Sequence, residues 1–292
     1  MKGNANMLPN VILTRNNRPV TAYPTCGLGD ELVLWWLGQA GFLLRYRDRT
    51  VIIDAYLSDF LSGKYAGRKY PHKRMMRPPI EPQMLTGIDA CICSHSHSDH
   101  MDPGLLPILS ANNPACRFIM PEAVRHVGIE RKVPDTRITG MNAGSSLSLG
   151  DGITISAIPA AHEELRVDER GQQLFLGFIL QFGDITVYHS GDSVPYAGLD
   201  EYLNNFSIDL LLLPVNGRDP ALAAEGIAGN FTINEALQVM ANHDILLMIA
   251  HHFGMFDFNT VDPDALQRYI DAQGLGNQVF PAQEQIEYCL KR

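Results

Sequence analysis

The stretch "GFLLRYRDRTVI" beginning at Gly41 returns as "GFILQFGDITVY" beginning at Gly177. Gly, Phe, Leu, Asp, Thr and Val coincide, 6 of 12 positions. Each copy reads as a strand, a tight turn around Asp48 or Asp184, and a second, β-branched strand. Two such hairpins 136 residues apart predict two structurally similar halves. Buried strands are expected at 32–38, 88–95, 154–162, 208–215 and 245–252. Helices are expected at 232–243, opened by a capping box of Thr232 and Glu235, and at 262–274, with Asp262 as N-cap and Pro263 in the first turn. Mixed strands and helices of this kind predict a layered α/β architecture. No linker or low-complexity stretch divides the chain, so one domain over 1–292 is expected.

The charge balance narrows the partners. A net charge of −9 disfavours general binding to nucleic acid or to an anionic membrane. The runs "LLLLPV" and "ILLMIA" fall far short of the roughly 20 apolar residues a membrane helix needs. The start, "MKGNANMLPNVILTRNN", has no apolar core and no cleavage pattern, which predicts a cytoplasmic location. Cys26, Cys91, Cys93, Cys116 and Cys289 are an odd, scattered set, unlike a disulfide framework. Cys91 and Cys93 sit two apart in an apolar strand and are expected to be buried thiols on one face.

The expected strands end in chemistry. "SHSHSDHMDP" follows the strand at 88–95, and Asp54, His162, Asp192 and the pair His251–His252 follow others. In a layered α/β protein, strand ends on one edge converge on a cleft. His95 and His97, two apart in extended chain, share a face and can grip one metal ion. Asp99 and His100 lie where the chain must turn, and can face a second. Two ions about 3.5–4 Å apart can share a hydroxide and lower its pKa toward about 7. A structural zinc site is disfavoured, since such sites usually use cysteine and close every position. His251 and His252 point opposite ways in a strand, so one is expected to bind metal and the other to stand behind it.

With these motifs in this order, the chain resembles the metallo-β-lactamase superfamily: "VIIDAYLSD", "SHSHSDH", "PAAHEE", "YHSGDS" and "IAHHFGMF". The resemblance implies an αββα sandwich of two similar halves with metals at one edge. It implies His95, His97 and His162 on one ion, Asp99, His100 and a late histidine on the other, and Asp192 between them. His252 is favoured as the late ligand because "HFGMF" is similar to the family's turn, with His251 the alternative. It implies that Asp54 orients a ligand imidazole. Asp99 and His189 are the catalytic candidates, His189 in an orienting or proton-transfer role beside Asp192. Three stretches, "LWWLGQAG", "YHSGDS" and "HH" followed by "DP", resemble the L-ascorbate-6-phosphate lactonase branch, although "PAAHEE" fits the wider superfamily better.

Residues 60–80 contain no acid and carry 6 of the 23 Lys and Arg residues: Lys64, Arg68, Lys69, Lys73, Arg74 and Arg77. A loop of this kind beside the metal strand predicts recognition of a small anionic substrate through Arg68, Lys69, Arg74 and Arg77. A solvated loop or a contact between copies in a homo-oligomer is the competing reading. Asn216 and Arg218, after a buried strand, are further substrate candidates. The expected activity is a hydrolase with two divalent ions, Mn(2+) or Zn(2+), opening a sugar-derived lactone, possibly phosphorylated, by attack of the shared hydroxide. A phosphodiesterase or nuclease on the same metals is the first alternative, and a non-catalytic metal-stabilised binding protein the second.

Overall fold

The computed structural model describes residues 11–25 and 29–292; Cys26 and most of the N-terminal stretch read for a leader lie outside the described residues. Two mixed sheets form. The first runs β1 (Ile12–Asn17), β15 (Ile286–Lys291), β2 (Leu32–Gly38), β3 (Gly41–Tyr46), β4 (Arg49–Ile53), β5 (Ala90–Ile92), β6 (Arg117–Pro121), β7 (Ile138–Met141). The second runs β14 (Val279–Pro281), β13 (Leu247–His251), β12 (Leu210–Pro214), β11 (Ile185–His189), β10 (Leu176–Phe182), β9 (Ile153–Pro159), β8 (Ser146–Gly150).

The sequence repeat is a structural repeat. From β2 to β7 the pairings are antiparallel, antiparallel, then three times parallel. From β9 to β14 they follow the same order. The register matches as well: Phe42 faces Ile53 and Tyr46 faces Arg49, while Phe178 faces His189 and Phe182 faces Ile185. The turn residues Arg47 and Gly183 both adopt positive φ, 51° and 57°.

Every residue of β2 is buried, which requires cover on both faces. Leu32, Leu34 and Trp36 join the core between the sheets, with Phe178, Leu180 and Phe182. Val33, Trp35 and Leu37 join a second core with Leu106 and Leu109 of the helix Leu106–Asn112. Helices Ile233–Asn242 and Pro263–Ala272 cover the other sheet through Ala236, Val239, Met240, Leu266 and Ile270. The layers are therefore α, β, β, α, each core side chain contributing about 1.5–3 kcal/mol by burial. Both expected helix starts are present. Thr232 and Glu235 complete the capping box, and Asp262 accepts from the Asp264 amide.

Cys91, Cys93, Cys116 and Cys289 are buried free thiols, and Cys91 and Cys93 share the outer core beside β5. The metal-motif strand is shorter than 88–95. Cys93 N–H still bonds Ile119 C=O at 2.9 Å, but Ser94 N–H turns to the Asp54 carboxylate at 2.7 Å. That departure ends the ladder and starts the site. Because β4 and β5 are parallel, as are β11, β12 and β13, their C-terminal ends share one edge, where the two halves meet.

Candidate functional site

Histidines and aspartates from both halves gather at that edge in three overlapping groups. They are His95, His97 and His162; His95, His100 and Asp192; and Asp99, His100 and His252. Within each group one ligand atom per residue lies within 4.8 Å of the others. His97 is the exposed member; His95, His100, His162, Asp192 and His252 are buried.

His100 shows how the halves cooperate. Its Nδ1–H donates to Asp54 Oδ2 at 2.8 Å, and its Nε2 lies 3.2 Å from Asp192 Oδ1. One carboxylate follows the first copy of the hairpin and the other follows the second. His252 Nε2 lies 3.1 Å from the same Asp192 oxygen. Burial opposes charge on His100, yet Asp192, Asp54 and Asp99 outweigh it and raise its pKa well above the usual imidazole value. Burial also opposes charge on Asp192, but His100 and His252 hold its pKa well below the usual carboxylate value. His95 and His162 lack such close carboxylate support. Burial pushes His95 well below the ordinary imidazole range and His162 down to about 4, so both are neutral donors at pH 7.

Ser94, an ordinary residue in the sequence, sets the tautomer of His95. Its Oγ–H donates to Asp54 Oδ2 at 2.5 Å. With that hydrogen committed, His95 Nδ1–H donates to Ser94 Oγ at 3.0 Å, leaving Nε2 as an unprotonated donor atom. Asp102, the second acid of the histidine motif, anchors the loop that leaves Asp54. It accepts from the amides of Leu57 and Ser58 at 3.0 and 2.9 Å and from Ser58 Oγ at 2.5 Å.

The fit to divalent cations rests on atoms that lack hydrogen-bond partners. His95 Nε2 and His162 Nδ1 are buried without one, and His100 Nε2 and His252 Nε2 share a single carboxylate oxygen, Asp192 Oδ1, at 3.2 and 3.1 Å. Unpaired buried polar atoms are costly and rare, so their convergence at one place calls for a bound group. Imidazole and carboxylate together suit zinc, manganese or iron.

The cluster forms one wall of a cleft of about 540 Å³. The acid-free loop and the segment after His252 also line it, with Tyr65, Tyr70, His72, Phe256 and Phe258. Tyr65 and His72 stack at 4.1 Å, and Phe256 and Phe258 at 5.9 Å. Lys64 and Arg68 lie over the Tyr65 ring at 5.2 and 5.9 Å and have no carboxylate partner among the described residues. The acid-free loop therefore lines the cleft, and its aromatic residues, which net charge does not register, supply much of the surface.

Several sequence expectations need correction. Arg74 turns away from the cleft: it donates to the carbonyls of Met76, Tyr56 and Ser58 and lies over the Tyr56 ring. Arg77 is exposed and does not line the cleft. Lys69 lines it, but its ammonium sits 2.7 Å from Glu225. Asn216 bonds Asn259 and Asn230 beside a neighbouring shallow cavity, and Arg218 is consumed by Glu235 and the Asn230 carbonyl. His189 does not line the cleft. It is fully buried, its Nε2–H donates to Ala40 C=O at 2.8 Å, and its Nδ1 accepts from Gly191 N–H at 3.1 Å. His251 is in none of the three groups; it stacks on His189 and meets Phe42 edge-on. His251 ends β13, whereas His252 lies beyond the strand at φ 69°, so the turn, and not alternation along a strand, brings His252 into the cluster.

Gly191 shows how tightly the halves close. It sits at φ 60°, and a Cβ there would lie 2.7 Å from the Ser94 Cβ. Gly191→Ala is expected to destabilise the protein by about 2–4 kcal/mol, from backbone strain plus overpacking. Chemical denaturation checks this, and unchanged stability would refute the close approach.

Comparison with known proteins agrees with this arrangement. The family model described as "Beta-lactamase superfamily domain" matches residues 49–253. A "UPF0173 metal-dependent hydrolase" of Aeropyrum pernix is 25% identical over 260 residues, covering 84% of this chain and 92% of that protein. A "possible metal-dependent hydrolase" from Veillonella parvula superposes with a TM-score of 0.70 at 16% identity, covering 89% of this chain and 98% of that one. The "metallo-beta-lactamase fold protein YhfI" of Bacillus subtilis does so with a TM-score of 0.61 at 16% identity, covering 89% and 99%. At these identities the two structures speak for the fold. Among the described residues no helix is long and apolar enough to cross a membrane.

Proposed function

The chain belongs to the beta-lactamase superfamily, and on that premise we propose that it is a metal-dependent hydrolase of a small ester, a sugar-derived lactone being the preferred class and its anionic, phosphorylated form the preferred substrate. The observation that carries the substrate class is the pairing of cluster and cations. A His/Asp cluster with unpaired donor atoms shares one cleft of about 540 Å³ with two cations, Lys64 and Arg68, that no carboxylate neutralises among the described residues. That volume holds a small molecule. The Aeropyrum relative's name supports hydrolysis. The "LWWLGQAG" and "YHSGDS" stretches support a lactone.

His95, His97 and His162 would hold one divalent ion, Asp99, His100 and His252 a second, and Asp192 would lie between. Such ions supply Lewis-acid polarisation of an ester oxygen and acidification of water near neutral pH. The protein's own groups do the rest. Asp54 and Ser94 fix the His100 and His95 rings so that their Nε2 atoms are left for the ligand cluster. Lys64 and Arg68 hold the anionic end of the substrate, and Tyr65, Tyr70 and Phe258 give its ring an apolar face.

The test is steady-state kinetics on a sugar lactone with and without its phosphate, using stripped protein reloaded with Mn(2+) or Zn(2+). Lys64→Ala and Arg68→Ala are each expected to raise KM for the phosphorylated lactone about 10-fold and to leave the neutral lactone unchanged. No lactone opening by protein that holds two ions, with turnover of a simple phosphodiester instead, would replace this reading by a phosphodiesterase.

A further inference from the structure

The turn that joins β2 to β3 carries Gln39, which belongs to none of the three ligand groups and does not line the cleft. We propose that Gln39 is a positioning residue that fixes Asp99 and His252 together, and so sets the affinity of the half-site made by Asp99, His100 and His252. This rests on reading the cluster as a metal centre.

Three observations carry it. Gln39 is 1% exposed, and its Nε2–H donates to Asp99 Oδ2 at 3.0 Å, across 60 positions of sequence. Its carbonyl accepts from His252 N–H at 3.0 Å and from the Trp36 indole at 2.9 Å. Its backbone stands at φ 51°, and that of His252 at φ 69°. Left-handed backbone at a buried non-glycine residue persists only when the surroundings hold it. Gln39 and His252 are two such residues, and the backbone hydrogen bond from His252 to Gln39 ties them together.

The chemistry of the carboxamide sharpens the assignment. Gln39 Oε1 is buried without a hydrogen-bond partner. A side chain kept for burial alone would be apolar, so an amide with one unsatisfied end is retained for its other end, the bond to Asp99. The next carbonyl, Ala40, accepts from His189, which in turn accepts from the Gly191 amide beside Asp192. Residues 39 and 40 of the first half thus reach both late ligands of the second. The register shift between Trp36 and Gly38 is the local device that re-aims the chain for this.

The experiment is a titration of stripped full-length protein with Zn(2+) or Mn(2+) alone, by calorimetry and metal analysis, on wild type, Gln39→Met and Gln39→Glu. Gln39→Met keeps the shape and the backbone contacts and removes only the bond to Asp99. Gln39→Glu keeps the shape but puts a carboxylate against a carboxylate, and serves if Gln39→Met does not fold. The expected result is an unchanged first binding step and a second step weakened about 10- to 100-fold. The absorption of cobalt at the second step should change in parallel, and kcat should fall with KM nearly constant. Wild-type affinity at both steps in either folded variant would overturn the role of Gln39. Wild type that binds fewer than two ions would instead overturn the metal reading beneath it, and the role of Gln39 with it.

Discussion

Asp192→Ala is expected to lower hydrolysis by about 10³-fold or more, a loss of at least about 4 kcal/mol of transition-state stabilisation. Asp192 is the one carboxylate that stands within 3.2 Å of both His100 and His252. Its removal deprives two imidazoles from opposite halves of their common partner. Bound divalent metal should fall below two ions per chain, as measured by metal analysis after dialysis. The paired control is at the adjacent histidines. His252→Ala should lose metal as Asp192→Ala does, because its ring faces the cluster. His251→Ala should keep both ions and lose stability, because its ring fills space between His189 and Phe42. An Asp192→Ala protein with full metal content and activity would refute the assignment of the cleft.

Stripping the ions is expected to lower the melting temperature by about 8–16 °C. A ligand present at 1,000 times its Kd stabilises the folded chain by about 4 kcal/mol, and each kcal/mol shifts the midpoint of a chain this size by about 2–4 °C. The physical source is the cluster itself. Asp54, Asp99 and Asp192 crowd one imidazole, and buried donor atoms of His95 and His162 lack partners. A divalent cation answers both deficits at once. Calorimetry with and without a chelator, followed by reloading, checks the shift and its reversal. A melting temperature that does not move while metal analysis shows the ions gone would mean that the cluster satisfies itself without them.

How much of this was legible in the sequence varies with the kind of signal. His95, His97, Asp99 and His100 stand out because ligand residues crowd a few positions at the end of an apolar strand. Asp192 and Asp54 gain weight from the hairpin repeat. The repeat aligns Asp54 with Ser190 rather than with Asp192, an offset of two, yet both carboxylates reach His100. Gln39, Ser94 and Asp102 gave no comparable signal. Each is a common residue whose work is a hydrogen bond to something distant in sequence, and a single chain does not display its contacts. The basic residues misled for a related reason. A guanidinium reads as free charge in a sequence, but Arg74 is spent on three backbone carbonyls and Arg218 on Glu235. His189 looked mobile in its proton because it neighbours Asp192, whereas the fold clamps both its nitrogens to backbone.

The division follows from range. Periodicity, capping and repeat are local properties, set by how a few neighbouring residues bury apolar area and satisfy backbone groups. They determined the layered α/β architecture, its two similar halves, and the strand ends at which ligands would collect. Which of two adjacent histidines faces the cluster, which cations stay unpaired, and which neutral side chain steadies a carboxylate depend on where one half lands on the other. Those were decided only when the Gly38–Gly41 turn met Asp99 and His252, and when Gly191 closed on Ser94. Such contacts are selected by packing and hydrogen-bond geometry between segments far apart in the chain, and no local pattern encodes them.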